Sequence, residues 1–185
     1  MSILKVNTIQ TANGTTALSI AANGQITTAN APFILTGGQL QFPATQIASG
    51  DANCLDDYEE GTWTPTYFGS STAGTTTYNN QKGTYVKIGN SVYCECYLDW
   101  SAKTGTGDGL VGGLPVVVGA YSIDSRPLFY IGAYSGYSIT GTLSGIVVNN
   151  GTSILLYVNT NGSLGGSPIQ NSALMRFQFW YRSAN

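Results

Sequence analysis

Between Ala173 and Arg182 the chain alternates strictly: Ala173, Met175, Phe177, Phe179 and Tyr181 fall on one set of positions, and Leu174, Arg176, Gln178, Trp180 and Arg182 on the other. A period of two is the mark of a strand with one buried and one open face, because successive side chains of a strand point to opposite sides. The same rule orders Ser91 to Trp100. Val92, Cys94, Cys96, Leu98 and Trp100 share a side, while Tyr93, Glu95, Tyr97 and Asp99 share the other. The first set predicts core; the second faces water or a neighbouring subunit. Thr84 to Ile88 followed by Gly89-Asn90 makes this strand the second arm of a tight hairpin.

Further strand signals follow. Ile146 to Asn149, then Asn150-Gly151, then Ser153 to Val158 predicts another hairpin. Leu114 to Val118 is a short continuous apolar run, consistent with a strand buried on both faces, and Pro127 to Tyr134 is an aromatic-rich strand candidate. Counted this way there are about eight or nine strands at spacings of roughly 8–12 residues, with no helix-period segment. The expected fold is all-β: an antiparallel β-sandwich or jelly roll over residues 67–185.

The first fifty residues differ. They carry one charged side chain, Lys5, and short apolar groups separated by turn signals such as Asn13-Gly14, Asn23-Gly24 and Gly37-Gly38. Very short strands of this kind hold too little apolar surface for a core of their own. Residues 1–50 therefore read as a thin stem that becomes stable when wound with identical chains, with a flexible leader as the alternative. Between the two regimes, Asp51, Asp56, Asp57, Glu59 and Glu60 place five of the nine acidic residues in an acidic junction, residues 51–66. Gly61, Trp63 and Pro65 close it.

Composition excludes several kinds of chemistry. Only 9% of the 185 residues are charged while 42% are hydrophobic, so the chain lacks the signature of disorder. Its surface suits burial against copies of itself. Outside residues 51–60, seven cations stand against four acids without clustering, which argues against binding nucleic acid through phosphates. With no His, Ser-His-Asp and Cys-His arrangements are excluded. Cys94-x-Cys96 has no second ligand pair, so no metal and no cofactor is expected, and the thiols read as small core residues.

A glycosidase-like carboxylate pair remains. Glu95 and Asp99 lie about 13 Å apart along a strand, beyond the roughly 5–9.5 Å that hydrolysis uses. The chain is accordingly expected not to be an enzyme, and the acids to be solvated. The opening MSILKVNTIQ has neither the basic nor the apolar region of a signal peptide, and no run of about 18 apolar residues occurs, so no membrane insertion is expected.

Tyr121, Tyr130, Tyr134 and Tyr137 fall within seventeen residues, interleaved with Gly, Ser and Ala. Aromatic faces flanked by small polar groups bind saccharide and protein surfaces well, and tyrosine is equally an ordinary sheet residue. Both readings stay open.

The run FPATQIASGDANCLDDYEEGTWTPT, from Phe42 to Thr66, resembles the junction of many phage tail-fibre and receptor-binding proteins, in which a thin N-terminal stem leads into a compact C-terminal β head. LKVNTIQTANG (Leu4 to Gly14), GTYVKIGNSVY (Gly83 to Tyr93) and the closing FQFWYR are similar to the same family. The resemblance implies a homotrimeric virion protein, assembled in the host cytoplasm. Its stem, including Leu4, Val6 and Ile9, would attach to a tail or capsid protein, and its head would meet a host-surface glycan or protein. A capsid head fibre or decoration protein is the alternative, and a polysaccharide depolymerase a lesser one. The resemblance carries over no ligand residues. Cys54 stands where such junctions often have a small polar residue.

Overall fold

A computed structural model describes residues 8–10, 14, 16–20, 22, 26–28, 37–43, 45, 54–55, 57–122, 125–160 and 163–184. Among them are fourteen β-strands and no α-helix. The chain divides into two compact units, Met1–Gln41 and Phe42–Asn185.

In the first unit β1 (Thr8–Gln10), β2 (Thr16–Ile20) and β3 (Ile26–Thr28) form one antiparallel sheet in that order. Ile9 pairs with Leu18 and Ile20 with Ile26. Strands of three to five residues cannot cover their own apolar side chains, and Ile9, Ile20 and Ile26 all stand exposed. Leu4 and Val6, expected to act with Ile9, lie outside the described residues.

The second unit is a sandwich of two antiparallel sheets. One is built from β4 (Tyr58–Trp63), β6 (Thr76–Ile88), β7 (Ser91–Lys103), β10 (Ala133–Ser135) and β14 (Ala173–Arg182), in the order β10-β14-β7-β6-β4. The other contains β5 (Thr66–Gly69), β8 (Gly109–Gly112), β9 (Leu128–Tyr130), β11 (Thr142–Val147) and β12 (Ser153–Thr160), in the order β5-β8-β12-β11-β9, with β13 (Ser163–Gly166) beside β12. The central ladder pairs β7 with β14 from Ser91↔Arg182 to Trp100↔Ala173. Its inward residues are the two sequence-predicted core sets, and all ten are buried. Val111, Leu143, Val147, Ile154 and Leu156 close the core from the second sheet.

Trp63 ties the acidic junction to this core. Its indole Nε1 donates to the carbonyls of Thr84 (3.2 Å) and Glu95 (3.1 Å), bridging β6 and β7. The ring lies over Gly83, where a Cβ would come within 2.3 Å of Nε1. Only glycine leaves room for the indole. The junction is thus part of the head from Tyr58 onward, since β4 pairs with β6 along its whole length and β5 enters the opposite sheet.

Glu59 and Glu60 are exposed, as solvated acids should be, but Asp57 is not. It is buried in an ion pair with Lys87, and its carbonyl accepts from the Gly89 amide at 2.9 Å. A charge withdrawn from water needs a partner, and the β6–β7 hairpin supplies one. Asp51 and Asp56 lie outside the described residues.

Two expected strands form differently. Leu114 to Val118 is not a strand: Gly113 takes φ +83°, Pro115 has no amide donor, and only Val118 makes an isolated bridge, to Ser183. Leu114 and Val118 serve as buried plugs. Pro127 to Tyr134 is split. β9 pairs with β11 and β10 with β14, so the chain changes sheets around the buried Ile131. In the β11–β12 turn, Asn150 rather than Gly151 takes the left-handed conformation, at φ +54°.

Gly83→Ala should lower stability by about 1–3 kcal/mol through overpacking. Urea unfolding followed by tryptophan emission checks this, with an unchanged midpoint contradicting the packing. Burial pushes the Cys94 thiol up from 9.0 to about 12 and raises Cys96 further, while Cys54 is exposed. A thiol-specific reagent at neutral pH should therefore modify one of the three cysteines in the native protein and all three after unfolding. Because the folded state favours the protonated thiols, their contribution to stability is complete below pH 9 and is lost as pH climbs toward about 12.

Candidate functional site

The ladder that fills the core also fixes what stands on the outside of the five-stranded sheet. Positions in register with the inward Gly83, Cys96 and Phe177 leave bare backbone between two rows of outward side chains. One row is Thr84, Glu95 and Gln178; the other is Lys82, Tyr97 and Arg176. The result is a groove of about 710 Å³ running across the strands, continued past Ala133 and Gly132 to Tyr130. This lies within the roughly 300–1,000 Å³ of small-ligand clefts.

The first row is tied by hydrogen bonds. Thr84 Oγ1 donates to Glu95 Oε2 at 3.0 Å, and the Tyr93 hydroxyl lies 3.1 Å from Glu95 Oε1 and 2.7 Å from Gln178 Oε1. Burial, then Glu95, raises the Tyr93 hydroxyl above its ordinary pKa, so it stays protonated as a donor. In the second row the Arg176 guanidinium sits 4.3 Å from the Tyr97 ring centroid, a cation–π contact. The one salt bridge among the described residues is Asp57–Lys87, so Lys82 and Arg176 remain available to an acceptor from outside.

Glu95 and Asp99 do face the same side, with Tyr97 between them, but each is engaged separately: Asp99 Oδ1 accepts from Asn79 Nδ2 at 3.1 Å. The groove therefore offers flat aromatic faces, two cations, an amide and a carboxylate acceptor. Among the described residues no three His, Cys, Asp or Glu side chains lie together as metal ligands.

The four sequence-predicted tyrosines do not form one site. Tyr130, on β9, is 62% exposed and ends the groove. Tyr134 and Tyr137 meet edge to face at 5.8 Å. Tyr137 also packs edge-on against Trp100 at 6.3 Å, its hydroxyl turned to that of Tyr67 and raised in pKa by burial.

Tyr121 stands at the other end of β14, about 23 Å from Tyr134 along the strand at ~3.3 Å per residue. There it holds the chain in place. Its hydroxyl accepts from the Arg182 amide, its carbonyl accepts from Asn149 Nδ2 at 2.7 Å, and its ring lies under the Arg182 guanidinium. A smaller hollow of about 380 Å³ forms there with Pro127 and Trp180.

Tyr97, Arg176 and Gln178 fall on the sets opposite the core positions in the two alternating strands, whereas no sequence pattern singles out Lys82. Nothing in sequence alone placed residues 82, 97 and 176 side by side.

Replacing the half-buried Tyr137 by Ala should cost about 1–3 kcal/mol through its lost contacts with Trp100 and Tyr134, whereas Tyr130→Ala should stay within about 0.5 kcal/mol. Parallel urea titrations of the two variants distinguish the packed ring from the free one.

No protein-family model matches the chain, and no curated protein matches it. Among solved structures the chain is similar to the Dettilon tailspike protein (gp208), with a TM-score of 0.54 at 14% identity over 69% of this chain. The chain spans 24% of that tailspike. At this identity the likeness is one of fold, and the fold is that of an all-β antiparallel sandwich found within a tailspike.

Proposed function

We propose that the chain is a structural virion protein of a bacteriophage, a short trimeric tail fibre whose C-terminal head contacts the host surface. The observation that carries this is the likeness of its sandwich to part of a tailspike protein. Two features support the finer reading. The N-terminal unit leaves Ile9, Ile20 and Ile26 uncovered, as a stem requiring partner chains would. The transverse groove presents Tyr97, Tyr130, Lys82, Arg176 and Gln178 to a ligand from outside.

The groove binds rather than catalyses. Glu95 is already held between Thr84 and Tyr93, Asp99 is held by Asn79, and no His is available as a base. Stacking a sugar or side chain on Tyr97 and Tyr130, with hydrogen bonds from Lys82 and Arg176, is recognition chemistry.

Purified protein labelled with a fluorophore should bind host cells and compete with virion adsorption. Tyr130→Ala and Arg176→Ala should each weaken that binding by about tenfold or more while keeping the wild-type unfolding midpoint. Unchanged binding by both variants moves the contact elsewhere on the head. Electron microscopy of virions with a bound antibody should place the protein on the tail, and density at the capsid would favour a head fibre or decoration protein instead.

A further inference from the structure

Two of the three tryptophans, Trp63 and Trp100, are buried, and Trp180 is 56% exposed. It occupies an outward position of β14, two residues beyond Gln178 and four beyond Arg176, on the face that carries the groove. Its ring leans on that of its cross-strand neighbour Tyr93, with centroids 4.9 Å apart, a contact that fixes the indole without covering it. Beside it lies the smaller hollow, closed by Tyr121, Pro127 and Arg182. Arg176 in the groove and Trp180 in the hollow are about 13 Å apart along β14, at ~3.3 Å per residue. Each site reaches past β14 to the segment that follows Tyr121: Pro127 at one end, and Tyr130, Gly132 and Ala133 at the other.

The stretch between them is polar and unsatisfied. Gln178 Oε1 is taken by the Tyr93 hydroxyl, which leaves the Nε2 donor without a partner among the described residues. The backbone adds to it. Arg182 turns its amide to the Tyr121 hydroxyl and its carbonyl to the Gly119 amide (2.7 Å), away from β7. Peptide groups of alternate residues in a strand point the same way, so those of Gln178 and Trp180 also point away from β7. β10 pairs only as far as Arg176, and among the described residues nothing bonds these groups. Two amides and two carbonyls thus line the open edge of β14 between the two sites.

We propose that groove and hollow are the two ends of one track, which takes an unbranched, uncharged saccharide chain several units long. The proposal rests on the reading that the head meets the host surface; it names the ligand class and adds a second subsite, Trp180 with Tyr121. A sugar ring has C–H faces and a rim of hydroxyls. Tyr97 and Tyr130 at one end and Trp180 at the other suit the faces, while the Gln178 amide and the open strand edge suit the rims between them. No single ring reaches from Arg176 to Trp180, so both subsites fill only with a chain. Charge decides against a polyanion. On the outward positions of this sheet Lys82, Arg176 and Arg182 are matched by Glu60, Glu95 and Asp99, leaving no net charge to attract one.

The test uses the full chain and polysaccharide extracted from the host surface, freed of protein and cut into fragments sorted by length. Acrylamide quenching of native emission reports on Trp180, the exposed tryptophan. Long fragments should bind about tenfold or more tightly than the shortest and shield Trp180 from acrylamide, and Trp180→Ala should abolish that advantage of length. High salt should leave the affinity within about twofold, and a steeper loss overturns the uncharged assignment. Long fragments that bind no tighter than short ones, or that leave Trp180 fully quenchable, overturn the track and leave the groove standing as a host contact. The quenching needs no substitution, so it decides even where Trp180→Ala does not fold. Failure to bind any fragment, in protein that still binds whole cells, overturns the saccharide assignment alone; loss of that cell binding after protease treatment then identifies a protein partner. Binding to neither fragments nor cells overturns the host-contact reading as well.

Discussion

Everything described depends on one ladder. β7 and β14 pair over ten residues without a register shift, and that pairing alone decides which side of the head is dry. Inward it joins Val92 to Tyr181, Cys94 to Phe179, Cys96 to Phe177, Leu98 to Met175 and Trp100 to Ala173. Outward it sets Glu95 beside Gln178 and Tyr97 beside Arg176. A slip of one residue against β7 would turn β14 inside out, exposing Phe177, Phe179 and Tyr181 and burying Arg176 and Gln178. Core and groove are therefore two readings of the same hydrogen bonds.

Charge follows the same partition. The only ion pair among the described residues is buried, where Asp57 meets Lys87 below the β6–β7 hairpin. Removing Lys87 strands the Asp57 carboxylate away from water, a cost of several kcal/mol in buried pairs of this kind. The pair and the Trp63 indole hold β4 at both of its ends, one electrostatically and one by packing and hydrogen bonds. What looks in sequence like a solvated acidic linker is, from Tyr58 onward, an edge strand pinned to the sheet.

The strongest periodicities were legible. Ala173–Arg182 and Ser91–Trp100 took the faces their alternation dictates, and both hairpins closed at the glycine- and asparagine-bearing turns. Legibility failed where a residue's surroundings override its type. Leu114–Val118 is apolar enough for a strand, but Pro115 and Gly113 forbid a ladder there. Pro127–Tyr134 reads as one strand because nothing local marks a change of sheet at Ile131. The tyrosines are dispersed for the same reason: nearness along the chain leaves Tyr121 far along β14 from Tyr134, and of the four only Tyr130 lines the groove. The groove itself joins residues 82, 97 and 176, whose proximity depends on pairings across roughly eighty positions that no local pattern encodes.

β14 is the last strand of the head in chain order, yet it lies inside its sheet, between β10 and β7. A chain leaving the ribosome N-terminus first can close the β6–β7 and β11–β12 hairpins early, because their turns are local. It cannot shut the sandwich until Phe177, Phe179 and Tyr181 arrive. Until that moment Val92, Cys94 and Trp100 are paired only on the β6 side, with Lys87, Tyr85 and Tyr78, and the half-built sheet presents an open edge. The order of synthesis thus makes the head an all-or-nothing product: a message cut short before β14 yields a sticky fragment rather than a smaller head.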